Sequence, residues 1–212
     1  MFGLSSKTQV NNVLKMAALY KQINADKQVK ENAKNIISVT ITNVINNDTM
    51  NVAQKDDKVK GIFVVVIEIA DKIIPSFFIS AFDKKFGFQT MFVLKCKEQY
   101  MAYGAFKEYG KKGMKIDKYF SSEWLDDLMI SLPLTAVSLS EIYTSILSMI
   151  IPIEPRVNES AKDFALRYGE VLRLQKEIDR LQRAVDNEKQ SKKRFELNAE
   201  LKELMEELDN IK

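Results

Sequence analysis

A chain of 212 residues, 46% apolar and 29% charged with a net charge of +3, has room for one sizeable core with an appendage or for two small domains. It contains no histidine and a single cysteine, which excludes Ser-His-Asp and Cys-His catalysis, every His-ligated metal site and an internal disulfide. So small a net charge does not by itself point to nucleic acid, but the charge is unevenly spread. Residues 1–30 carry Lys7, Lys15, Lys21, Lys27 and Lys30 against Asp26 alone, and residues 196–212 carry six acids against Lys202 and Lys212.

Cys96 sits in an apolar run and reads as a buried, inert thiol in a reducing cytoplasm. Met1 to Val10 lacks the apolar stretch of a signal peptide. Gly61–Phe82 is apolar enough to suggest a membrane span. Glu68, Asp71 and Lys72 at its middle, followed by Pro75, would be costly in lipid, so a buried strand turning into a helix is expected and no membrane partner.

In chain order, residues 8–34 read as a helix, because Val10, Val13, Leu14, Ala17, Ala18 and Leu19 recur at three- and four-residue steps until Asn24–Asp26 break the run. Ile37, Val39 and Ile41 then alternate with Ser38, Thr40 and Thr42, a strand with one wet face. Asn46-Asn47-Asp48 is a turn, Thr49–Ala53 a short partner strand and Lys55–Lys58 a polar loop. Ile62–Ile69, nearly all apolar and β-branched, is the expected central strand, covered on both sides.

Asp71 is expected to cap a helix with Pro75 in its first turn, running to Phe86 and stopped by Gly87. Met91–Cys96 is a further strand, with Gln99–Lys107 pairing to it as an edge hairpin and Gly110–Gly113 a loop. The lysines of Lys95-Cys96-Lys97, on one strand face, could protect an edge or meet phosphate. Met129–Leu132 reads as a last strand ended by Pro133. Ser138 to Glu141 is a capping box ahead of a helix with Ile142, Ile146, Leu147 and Ile150 on its apolar face. Pro152 and Pro155 then interrupt the chain. The division expected is an α/β body over 1–152, a linker over 153–159 and a helical arm over 160–212.

The body's order, a helix, three strands, a helix and a strand, suggests a mixed sheet with flanking helices of restriction-endonuclease-like arrangement. That chemistry needs two carboxylates on a metal and a lysine two residues past the second, to position the water. Asp48 and Glu68 are the candidate carboxylates, but Ala70 stands where the lysine belongs. The alternative for Glu68 is a strand-end carboxylate paired with Lys72 or Lys95. No phosphate-cradling glycine loop and no serine elbow is present. No cofactor is expected.

Phe164, Tyr168, Val171, Leu174, Ile178, Leu181 and Val185, then Leu197, Leu201, Leu204, Leu208 and Ile211, step by three and four, the narrow seam of a coiled coil. Asp186 to Lys193 has no apolar residue, so a turn there would let two helices zip antiparallel into a hairpin. The alternative is one long helix pairing with another chain, which would make a homodimer. The tip carries Arg183, Lys189, Lys192, Lys193 and Arg194 against Asp186 and Glu188, a local +3. Such a cluster suits DNA phosphate or an acidic protein surface, and Phe195 is the only aromatic residue beside it.

Met1-Phe-Gly-Leu-Ser-Ser-Lys-Thr-Gln-Val10, with Tyr20 after it, resembles the opening of a bacterial family known as domain of unknown function 4391. Phe63-Val-Val-Val66 and Met91-Phe-Val-Leu94 resemble its core strands. The closing Glu188-Lys-Gln-Ser-Lys-Lys-Arg-Phe-Glu-Leu-Asn-Ala-Glu-Leu201 is similar to its hairpin motif. Ser5 and Leu14 depart from it where the family has proline. The resemblance carries no catalytic residues. It implies a setting beside helicases and DNA methyltransferases of restriction or phage-defence type. The expected function is therefore a non-enzymatic accessory protein that docks such a partner and reaches DNA through the basic tip; the alternatives are a divergent metal-dependent nuclease and a homo-oligomeric scaffold.

Overall fold

The computed structural model describes residues 2–50, 52, 59–110, 113–130, 132 and 138–212. The chain divides into two compact units, Met1–Pro152 and Ile153–Lys212.

The first unit is built on a six-stranded sheet in which neighbours in sequence are neighbours in space. Its strands are β1 (Gln9–Leu14), β2 (Ile36–Ile45), β3 (Ile62–Ile69), β4 (Gln89–Cys96), β5 (Gln99–Gly110) and β6 (Gly113–Ser121). All pairings are antiparallel except β3 with β4. That parallel step needs a crossover, which helix α3 (Ser76–Phe86) supplies. Helices α1 (Met16–Gln22) and α2 (Lys27–Asn32) precede β2, and α4 (Leu139–Ser148) follows the sheet.

β3 is the central strand, and all but two of its residues are buried, Phe63 and Glu68 being the exceptions. Its odd-numbered residues Val65, Ile67 and Ile69 join Val39, Ile41, Phe92, Leu94 and Met101 against Phe78, Ile79 and Phe82 of α3. The other face receives the α4 segment. Tyr143 donates its hydroxyl to the Ala105 carbonyl, and Ile150 lies so close to Gly104 that a Cβ there would meet it at 3.0 Å. Cys96 is buried, a free thiol.

Several elements depart from expectation. Gln9–Leu14 is an edge strand, not helix. Asn11 takes φ 47° in a bulge between Gln9 and Asn12, and this extra residue gives Val10, Val13 and Leu14 their helix-like spacing. A second irregularity, between Ile36 and Ser38, turns Ile37 outward, 62% exposed, where plain alternation puts it on the dry face. Thr49 and Met50 prolong the turn; Asn51 and residues 53–58, with the Lys55–Lys58 loop, lie outside the described residues. β5 is not an edge, because β6 pairs along its far side. No strand forms at Met129, Ile130 or Leu132, although the Ile130 N–H donates to the Phe2 carbonyl; Ser131 and Pro133 lie outside the described residues. Lys97 is not on a strand: it occupies the β4–β5 turn at φ 55°.

Helix α3 ends as expected, with Gly87 in the left-handed conformation at φ 71°. Its start differs. Asp71 accepts bonds from the Asn35 side chain (2.9 Å) and Ile73 N (3.1 Å) instead of capping the helix. The cap comes from Asn32, whose Oδ1 accepts from Phe77 N and Phe78 N at 2.9 and 3.2 Å across 45 residues of sequence. Asn32→Ala therefore lowers unfolding stability by about 1 kcal/mol, measured by urea titration, while Asp71→Ala leaves the α3 cap intact. The Ser138 half of the expected capping box is present, Ser138 accepting from Glu141 N ahead of α4.

The second unit holds α5 (Ala161–Asn187) and α6 (Ser191–Ile211). Val171, Leu174, Ile178, Leu181 and Val185 of α5 form one buried cluster with Leu201 and Leu208 of α6, and Tyr168, Leu197, Leu204 and Ile211 pack around it. Residues 153–159 fold onto this pair. Glu159 holds Arg167 through two bonds (2.7 and 2.8 Å), and Arg167 donates to the Ile211 and Lys212 carbonyls. Arg156 adds bonds to Asn210 and Ile211. Two guanidinium groups thus sit where the α6 dipole ends negative. Among the described residues no helix is long and apolar enough to cross a membrane.

Candidate functional site

The two long helices meet at Glu188–Gln190, and the residues around this turn are those expected to make contacts. Arg183, Lys189, Lys192, Lys193 and Arg194 are all exposed. Two short bonds stiffen the turn: Asn187 donates to the Arg183 carbonyl (2.7 Å), and Gln190 N donates to Glu188 Oε1 (2.9 Å). That backbone bond, with Lys193 beside it, holds the Glu188 carboxyl below the usual carboxylate range. Lys193 pairs with Glu188 at 3.3 Å, and Asp186 accepts from Gln182 at 2.9 Å. No ion pair among the described residues engages the side chains of Arg183, Lys189, Lys192 or Arg194.

Helix α6 opens on Ser191-Lys192-Lys193-Arg194 with no acid in its first turn and no side-chain cap. Cations there add to the positive end of the helix dipole and cost local stability. The turn is consequently a focused positive surface whose countercharge is incomplete.

The two carboxylates considered for a metal do not come together. Asp48 lies in the turn after β2, where its N–H donates to Asn46 Oδ1 (3.0 Å). Glu68 lies at the opposite end of β3: Ile45 pairs with Ile62 at one end and Ser38 with Glu68 at the other. Six residues of strand, about 20 Å, intervene, so the two share no ion. Glu68 is instead bonded by Ser38 Oγ (3.3 Å) and Lys95 Nζ (3.2 Å), the strand-end pairing considered from sequence. This carboxylate in turn raises the Lys95 pKa. No group of three or more potential ligands occurs among the described residues.

One polar constellation went unread in the sequence. Asp83 of α3 and Lys107 of β5 form an ion pair with both side chains fully buried. Lys107 also donates to the Phe88 carbonyl at 2.7 Å, and Tyr119 of β6 donates to Asp83 Oδ2 at 2.8 Å. Burial pushes the ammonium pKa down to about 8 and the carboxyl up, each shift opposed by the partner's charge. Burial likewise raises the Tyr119 and Tyr103 phenols. The cluster ties α3 to β5 and β6, with Asp83 and Lys107 fully buried and Tyr119 partly so, which makes it a structural device. Its signal was present: Asp83 falls four residues after buried Ile79, and Lys107 keeps the period of Met101, Tyr103 and Ala105.

Geometry and chemistry thus define a mixed-sheet α/β unit followed by a two-helix unit with a basic turn. Comparison with protein-family models matches residues 2–208 to Domain of unknown function (DUF4391), and the chain belongs to that family. Neither the curated proteins nor the solved structures contain a match.

Proposed function

We propose that this chain is a non-enzymatic accessory protein of a bacterial restriction-like or phage-defence system. Its α/β unit docks a DNA-working partner of helicase or methyltransferase type in the cytoplasm, and its basic turn meets DNA phosphate. In this reading α5 and α6 are an antiparallel coiled-coil hairpin whose continuous seam holds the turn rigid.

The observation that carries it is the turn itself, five exposed cations of which only Lys193 is in an ion pair among the described residues. A cation on phosphate releases a condensed counterion, so affinity falls with salt at a slope of about −0.9 per contact. With the five cations in contact, log affinity for duplex DNA falls against log salt with a slope of about −4.5, read by fluorescence anisotropy. A slope near zero overturns the reading.

One observation favours a divergent nuclease as runner-up: antiparallel β1–β2–β3, then α3, then a parallel β4, with Lys95 of β4 against Glu68. Glu68→Ala would then abolish a Mg²⁺-dependent cleavage. The absence of cleavage by the wild-type protein, with its partner enzyme present, disposes of that alternative.

A further inference from the structure

Phe195 is 76% exposed, the most exposed aromatic side chain among the described residues. Water penalises a bare phenyl ring, and the sequence offers an easy escape in the apolar seam two residues away. The ring does not take it. Leu197 and Leu201 face the α5 cluster, and two residues of helix turn the chain by about 200°, so Phe195 stands on the side of α6 away from α5. Lys192, one turn earlier, shares that side, as does Lys202 two turns later, both exposed. Arg194 precedes the ring directly. A flat apolar face thus lies within the cation cluster, held by a helix whose other side is anchored.

Duplex DNA has no use for such a ring, because its bases are stacked on each other and only phosphates and groove edges face outward. An unpaired base has a free face, and its own phosphate lies within reach of neighbouring cations. Charge complementarity selects a polyanion, and the ring selects one with exposed bases. We infer that the α5–α6 turn binds single-stranded nucleic acid, with Phe195 stacking on an unpaired base while Lys192, Lys193 and Arg194 take the adjoining phosphates. This rests on the phosphate contact proposed above and specifies which nucleic acid makes it. Stacking on one ring reads no particular base, so sequence preference is weak.

The test compares a dT oligonucleotide with a duplex of equal length by anisotropy, using the full chain. Phe195→Ala is expected to weaken dT binding by about five- to 100-fold and to change duplex binding by less than about twofold. Being exposed, the ring can be removed without disturbing the fold, and circular dichroism checks this. Phe195→Trp is expected to retain dT affinity and to show indole emission quenched by dT, beyond any change from Trp124 in the wild-type protein. If Phe195→Ala binds dT like wild type while replacement of Lys189, Lys192, Lys193 and Arg194 by alanine abolishes binding, the stacking inference falls and the phosphate contact stands. If the wild-type protein binds neither probe, both fall.

Discussion

Asp83→Ala lowers the stability of the α/β unit by about 3–5 kcal/mol at pH 7, measured by urea unfolding. The size follows from what the substitution strands. Lys107 is fully buried with Asp83 as its counterion; without it, the Phe88 carbonyl and the Phe92 ring (5.9 Å) are the groups left near the ammonium among the described residues. An unpaired buried charge is worse than no charge, so the double variant Asp83→Ala/Lys107→Met recovers most of the loss. A single variant within about 1 kcal/mol of wild type would contradict this account of the cluster.

The pH dependence has a definite sign. Lys107 titrates near 8 in the folded chain against an ordinary 10.5. Between those values the unfolded chain binds more protons, so this group's contribution to stability grows as pH rises and is lost as pH falls through about 8. The Asp83 pKa is raised, so its contribution is present below the ordinary 3.8 and lost as pH rises through the folded value. In Asp83→Ala the deficit against wild type narrows toward pH 10, because Lys107 is then neutral without a partner.

Elements whose pattern is local and uninterrupted were readable from sequence. β3 declared itself by an unbroken β-branched run, and the α5–α6 seam by heptad spacing that stops at Asp186 and resumes at Leu197. Failures occur where a backbone irregularity shifts the period. The Asn11 bulge gave an edge strand the spacing of a helix, and the irregularity beside Ile37 exposed a residue that alternation buries. β6 was hidden for another reason: as an edge strand it interleaves Lys115, Asp117 and Lys118 with its apolar residues. Long-range partnerships such as Asn32 on α3, or Asp83 with Lys107, leave only half a signal at each position. The basic turn was legible because it is a charge count. That Phe195 stands bare among those cations needed the helix phase, which the structure supplies.

The second large effect concerns that turn. Replacing Lys189, Lys192, Lys193 and Arg194 with alanine removes four of its five cations and leaves Arg183. None of the four is buried, and among the described residues only Lys193 is in an ion pair, so the fold is unaffected. With four fewer phosphate contacts, the salt slope drops from about −4.5 to about −0.9. At low salt the affinity for nucleic acid falls by more than about 100-fold. The decisive measurement is an anisotropy titration of wild type and this quadruple variant against the same DNA at low and physiological salt. The account predicts salt-sensitive binding by the wild type and its near-complete loss in a variant with unchanged circular dichroism. A quadruple variant that binds as tightly as wild type, with the same salt slope, would show that the turn is not the contact.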